Sequence, residues 1–210
     1  KYDAIEDASV CFVKIVNFDE QLQISANPLA VLNVLNEIFL LFDDLTIQYR
    51  CTKIKSIGGT YMVVSGCPTY TSDHPIRITR LAINFMRGAN EIISARKEIV
   101  PLIDVQIGLM CGDFAGGVLG ETKYLFDVFG NSVNVAARMS ENTGEKGTIQ
   151  CCAPMSDRLR TQFKLQNRGL ISVKGKGDMD IWTVSYGREE DGTPIQHSIS
   201  SNYSNYNSNR

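Results

Sequence analysis

Histidine is nearly absent from this chain. The two present in 210 residues, His74 and His197, lie in loop-like stretches without a partner at ligand spacing. Metal binding through histidine is therefore not expected. No Cys-x-x-Cys pair occurs among the six cysteines, Cys11, Cys51, Cys67, Cys111, Cys151 and Cys152. That argues against a zinc site, and the apolar runs around most of them predict reduced, buried thiols rather than a disulfide framework. No apolar run approaches the length needed to span a bilayer, and no signal peptide is visible. Charge of one sign is not in excess either: the formal net charge is −2, which gives no general attraction to nucleic acid or to anionic membrane. What is present is ordinary for a globular domain, 43% apolar and 21% charged residues, in a chain long enough for one core. The opening Lys1-Tyr2-Asp3 is abrupt and reads as a piece of something larger.

Periodicity places the elements. Ser9 to Val16 reads as a buried strand with one internal charge, Lys14. Asn27-Pro28 is a helix start, and Leu32, Leu35, Phe39, Phe42, Leu45 and Tyr49 follow helical spacing from Pro28 to Tyr49. Lys53–Ile57 and Thr60–Ser65 read as a hairpin turned at Gly58-Gly59. Pro75 to Lys97 is a second amphipathic helix, and Ile103–Met110 a strand. Gly112, Gly116, Gly117 and Gly120 predict another hairpin, with Val118-Leu119 in its return strand. A helix over Asn131–Glu141 follows. Then come a strand at Thr148–Cys151, a short helix at Ala153–Arg160, a strand near Phe163–Leu165, a basic glycine loop at Lys174-Gly175-Lys176-Gly177 and a closing strand at Ile181–Tyr186.

This order predicts an α+β fold: a ferredoxin-like βαββαβ core with extra C-terminal strands and helices, the helices on one face of a mostly antiparallel sheet. The long helices cover one face only. The other needs cover, and a partner domain is the economical one. Residues 1–8 read as a lead-in, 9–187 as the folded domain, and 188–210 as a disordered Ser/Asn-rich tail.

The richest stretch for chemistry is Tyr124 to Arg138. A short apolar strand breaks at Gly130-Asn131 and continues as a helix. Asn134 and Arg138 lie four apart and share one helix face. Asp127 sits just before the break. An acceptor-only carboxylate, an amide and a fixed cation near one cleft suit a nucleotide: base, sugar and phosphate.

In order and spacing, the chain resembles the class III nucleotidyl cyclase catalytic domain. The resemblance is carried by Lys53-Ile54-Lys55-Ser56-Ile57-Gly58-Gly59-Thr60-Tyr61-Met62, by Gly116-Gly117-Val118-Leu119-Gly120, by the run Phe126 to Met139, and by Val173-Lys174-Gly175-Lys176-Gly177. The family converts ATP or GTP into a 3′,5′-cyclic nucleotide and pyrophosphate in sites shared between two such domains. The resemblance makes Lys55 and Asp127 the base readers. A donor-only lysine and an acceptor-only carboxylate complement the pairing edge of adenine, whereas guanylyl members typically carry glutamate and cysteine there. It makes Asn134 the ribose-orienting group, Arg138 the cation at the reacting phosphoryl oxygens, and Lys174 the holder of the β- and γ-phosphates.

One part of the pattern is missing. The family's two metal-binding aspartates fall at Lys14 and Gly59 in this chain, and Asp19 and Asp113 are off-register. The resemblance is therefore to the second half of paired adenylyl cyclases, with Mg2+ or Mn2+ supplied through a partner domain's aspartates. It implies ATP and a complementary cyclase domain as partners, a nearly inactive homodimer, and a cytoplasmic location, including the cytosolic part of a membrane protein. Two other readings stay open. One is a catalytically inactive module that binds nucleotide and regulates a partner cyclase domain. The other is a purely structural dimerisation domain, against which the retained base and phosphate groups argue.

Overall fold

The backbone hydrogen bonds of the strands run through one eight-stranded sheet, ordered β2-β3-β1-β4-β6-β8-β7, with β5 paired to β4. The computed structural model describes residues 2–119, 125–141 and 146–185. Its elements are β1 Tyr2–Val16, α1 Phe18–Ile24, α2 Pro28–Gln48, β2 Thr52–Ile57, β3 Thr60–Ser65, α3 His74–Ala95, β4 Asp104–Leu119, β5 Leu125–Phe129, α4 Asn131–Glu141, β6 Ile149–Cys151, α5 Met155–Leu159, β7 Leu165–Val173 and β8 Gly177–Val184. All pairings are antiparallel except that of β4 with β6. The expected α+β architecture, with a βαββαβ core and C-terminal additions, is the one observed.

The core forms where strand and helix periods meet. Val13 of β1 pairs with Tyr61 of β3 and with Ile107 of β4, so all three point to the same face. Tyr61 packs there on Phe42 of α2 and Phe85 of α3, with ring centroids 5.3 and 5.7 Å away, and Phe42 lies 4.3 Å from Phe85. All three rings are fully buried. Burying each aromatic side chain stabilises the fold by about 1.5–3 kcal/mol. α2 begins as its sequence signals: Asn27 Oδ1 accepts from the Ala30 amide at 3.2 Å, and Pro28 takes the first helical position.

The next row, Phe12, Met62 and Gly108, faces the other way. Here α4 crosses the sheet so closely that a Cβ on Gly108 would lie 2.1 Å from the Ala136 carbonyl oxygen and 2.5 Å from the Ser140 nitrogen. The long helices α2 and α3 thus share one face, as expected, and α4 takes part of the opposite one.

Several elements differ from the expectation. The lead-in at 2–8 is continuous with β1, which bends at a bulge between Ile5 and Ala8, where Asp7 has φ 53°. α1 follows Asn17 without a sequence cue. The glycines at 112, 116 and 117 do not turn the chain: β4 runs straight through them, and Val118-Leu119 end that strand rather than begin its return. These glycines serve close approach instead. A Cβ on Gly116 would meet Ile5 Cδ1 at 2.5 Å, and one on Gly112 would meet Ser132 Oγ at 2.7 Å. β7 extends to Val173, well past Leu165, because its exposed polar residues hide the strand period. His74 is no loop residue; it opens α3 and is fully buried. The end of the closing strand at Tyr186, residue Gly120 and the tail at 188–210 lie outside the described residues.

The cysteines are free, five of them buried and Cys51 partly so, in line with reduced thiols. Burial pushes Cys51, Cys67, Cys111 and Cys152 up to about 11, which keeps them protonated and inert. Among the described residues, no helix is long and apolar enough to cross a membrane.

Candidate active site

The site begins with an irregularity in a hairpin. In a regular strand Lys53 and Lys55 would point the same way. Instead, the β2–β3 register shifts between them, so Lys53 pairs with Val63 and Lys55 with Met62. The extra residue, Ile54, is buried. The bulge separates the two lysines. Lys53 turns to the α2 side, where its Nζ lies 2.6 Å from Asp43 and 4.8 Å from the Tyr61 ring centroid. Lys55 turns to the face that carries Phe12, Met62 and α4.

There Lys55 Nζ donates to Asp127 Oδ2 at 2.5 Å. Asp127 stands on β5 opposite Gly117, with its side chain 14% exposed, and its Oδ1 accepts from the Val128 amide at 2.9 Å. The two residues expected to read the base are therefore in contact. Two N–H donors of the ammonium remain for a ligand, and so does part of the carboxylate's acceptor capacity.

Three residues after Asp127 the chain turns at Gly130, where a Cβ would press on Phe114 at 3.0 Å. α4 follows. Ser132, Val133, Val135, Ala136, Met139 and Ser140 bury its inner face, and Ser132 Oγ donates to the Asp113 carbonyl at 3.2 Å. Asn131, Asn134 and Glu141 stay exposed and Arg138 is half-exposed, so these four form the outer stripe. Asn134 and Arg138 share one face as expected. Arg138 is engaged, however: its Nη1 pairs with Glu141 Oε2, three residues on.

Lys174 lies in the β7–β8 turn, exposed, and makes no side-chain hydrogen bond or ion pair among the described residues. Gly175 and Gly177 hold that turn with φ of 75° and 77°. Lys176 connects it to α4, because its Nζ donates to Asn131 Oδ1. Sequence reasoning left Lys176 and Gly108 without a role. The only cue to Lys176 was the second cation of the Lys-Gly-Lys-Gly loop, and nothing local marked Gly108.

The positions where the family pattern has metal-binding aspartates do not fit a divalent cation. Lys14 is half-buried on β1, paired with Thr60 and Gln106, and brings a positive charge. Gly59 offers no ligating group, and a Cβ there would be tight, 3.0 Å from Phe18 Cβ and 3.2 Å from the Ile15 carbonyl oxygen. Among the described residues, no three His, Cys, Asp or Glu side chains gather as a metal site.

A second polar cluster stands apart from the candidate site. Ser9 Oγ lies 2.7 Å from His74 Nδ1, and Asp7 lies 3.4 Å from His74 Nε2. The residue types suggest nucleophilic catalysis, but Ser9 and His74 are both fully buried, so no substrate reaches them. The cluster is structural.

The comparisons bear on family and fold. A family model described as "Adenylate and Guanylate cyclase catalytic domain" matches residues 1–186. An adenylate cyclase of Mycobacterium tuberculosis (strain ATCC 25618 / H37Rv) is 38% identical over 180 residues, which are 86% of this chain and 40% of that protein. A membrane guanylyl cyclase of Dictyostelium discoideum is 34% identical over 177 residues, 84% of this chain and 11% of that one. Among solved structures, the guanylate cyclase domain of RhGC from Catenaria anguillulae, in complex with GTP, superposes with a TM-score of 0.76 at 26% identity, covering 87% of this chain and 98% of that domain. The chain thus spans less than half the length of these curated relatives, and they include cyclases of both purines. By sequence and by fold, this chain belongs to the family of adenylate and guanylate cyclase catalytic domains.

Proposed function

We propose that the chain is the substrate-recognition half of an adenylyl cyclase, making 3′,5′-cyclic AMP and pyrophosphate from ATP when paired with a metal-bearing cyclase domain. The observation that carries this reading is the Lys55–Asp127 contact at 2.5 Å. A donor-only and an acceptor-only group, held side by side, complement the ring nitrogen and amino group of adenine. Guanine placed in the same orientation presents the reverse polarity, its O6 acceptor to the carboxylate and its N1–H donor to the ammonium.

The remaining roles follow from position. Asn134, exposed on α4, orients the ribose so that its 3′-hydroxyl lines up with the α-phosphorus. Arg138 leaves Glu141 for the phosphoryl oxygens and stabilises the charge that develops there. An exposed pair within one helix contributes about 0.3–0.5 kcal/mol, so a triphosphate displaces it readily. Lys174 holds the β- and γ-phosphates. The divalent ions come with the partner's aspartates, where they would clamp the attacking and leaving oxygens. Exposed apolar side chains at Ile57, Val118, Leu125 and Phe129 are available to the partner on β2 and the β4–β5 hairpin.

The test is cyclic AMP formation from ATP with magnesium or manganese, by the chain alone and mixed with a competent metal-bearing domain. Activity is expected only in the mixture, and Arg138→Ala should lower its kcat by about 10²–10³. Robust turnover by the chain alone, or no effect of Arg138→Ala, would overturn the assignment. The second reading, a module that binds nucleotide without turnover and regulates its partner, draws on the misfit at Lys14 and Gly59. It wins if ATP binds by calorimetry while no partner restores cyclisation.

A further inference from the structure

Another concave feature lies away from α4. A cavity of about 440 Å3 opens between the end of α2 and the first half of α3, with Gln162 beside it. Its walls carry Tyr49, Arg50, Asp73, Arg77 and Arg80. Three guanidinium groups meet a single carboxylate. That carboxylate is already committed, since Arg77 Nη2 reaches both Asp73 oxygens at 2.9 Å. Among the described residues, the other two arginines pair with no carboxylate. The Arg80 guanidinium donates, among the described residues, only to an amide oxygen, Gln162 Oε1, at 3.4 Å. Arg50 makes no side-chain hydrogen bond or ion pair among the described residues, and its backbone sits in the left-handed region at φ 52°.

The cavity also offers a neutral donor. The Tyr49 hydroxyl accepts from Asn84 Nδ2 at 2.8 Å, which leaves its own proton to give. Asn84 is itself buried and anchored to the Arg80 carbonyl at 2.9 Å, so the phenol is held in place. Burial raises the Tyr49 pKa, against the opposing pull of Arg80 and Arg87, so the hydroxyl stays protonated. The amino end of the 22-residue helix α3 adds partial positive charge at the same wall. Nearly every polar group not already paired is a donor, and most of the charge is cationic.

We propose that this cavity binds a small molecule carrying one or two phosphate groups, with Arg50 and Arg80 as its charged partners and Tyr49 as a neutral one. The volume falls within the range of small-molecule sites and exceeds what a single ion needs. None of Lys55, Asp127, Asn134, Arg138 or Lys174 lines it, so it is separate from the substrate site proposed above and does not depend on that reading.

The test uses sodium pyrophosphate and calorimetry in low-salt, metal-free buffer. It starts from Lys174→Gln combined with Arg138→Ala, which removes the proposed phosphate ligands of the substrate site. Saturable binding is expected to persist in that background. Adding Arg50→Gln or Arg80→Gln should weaken it about tenfold each, and Tyr49→Phe by a smaller factor. Arg50→Lys, which keeps the charge, should retain most of it, and circular dichroism checks that each variant is folded. No binding in the background at about 1 mM pyrophosphate overturns the proposal, as does binding that ignores the Arg50 and Arg80 changes.

Discussion

Lys55 and Asp127 are 72 positions apart in the chain and in contact in the fold, ammonium to carboxylate, because a bulge at Ile54 turns Lys55 to the face where β5 lies. Charge polarity at this pair is the basis of the proposed purine choice. Lys55→Glu combined with Asp127→Cys should shift nucleotide preference from ATP toward GTP by about 10–100-fold in the reconstituted pair. The estimate takes the ~1–3 kcal/mol that a two-point base contact is worth. Competition binding with the two nucleotides measures it, and an unchanged ratio would remove the pair as the reader.

Gly108 is a packing determinant of the site. Any side chain there meets α4 backbone at 2.1 Å, and backbone yields less than a flexible side chain. Gly108→Ala should lower stability by about 1–3 kcal/mol and displace the helix that carries Asn134 and Arg138. Cyclisation by the reconstituted pair should fall even at temperatures where the variant remains folded. A denaturant titration and an assay on the same sample separate the two effects. Wild-type values in both would mean that α4 sits farther from β4 than described.

Lys176 ties the turn bearing Lys174 to Asn131 at the start of α4. The contact is exposed, so Lys176→Gln should leave the melting temperature nearly unchanged. It should raise KM for the triphosphate several-fold while kcat changes little, because Lys174, proposed to hold the phosphates, would be less well placed. An equal effect on kcat would point instead to direct contact with the reacting groups.

Stability should depend on pH through His74. Burial depresses its pKa below the ordinary 6.5, against the pull of Asp7, while Arg158 adds to the depression and Asp73 opposes it. The unfolded chain then takes up a proton near 6.5 that the folded chain still refuses, so stability is full above that value and declines as pH falls through it. Asp7 works in the same direction at lower pH. Burial opposes the shift, but Arg158 and His74 hold its carboxyl below the usual 3.8, and its contribution is lost only below that. The melting temperature should therefore fall between about pH 7 and about pH 5, and His74→Gln should flatten the slope. An unchanged slope in the variant would assign the effect elsewhere.

The residue types of the site, their order and the two missing carboxylates could be read directly from the chain. Asp127, Asn134 and Arg138 sit within a dozen positions on a strand-to-helix junction, so local periodicity was enough to group them. The long helices α2 and α3 were equally clear, because their apolar stripes repeat over many turns. The glycines of β4 were misleading. A glycine that admits a neighbouring chain and one that turns the backbone look identical in sequence, and only the partner across the gap tells them apart.

What the amino-acid order settled by itself was membership of the family; it also supplied the candidate donors and acceptors, and the two positions where the family's aspartates are replaced. The tertiary structure decided which way Lys55 points, why Gly108 must be bare, and that Lys176 joins two distant segments. Each of these depends on strand register or on where a helix crosses the sheet. Those are set by many weak contacts between residues far apart in the chain, and no local pattern encodes them.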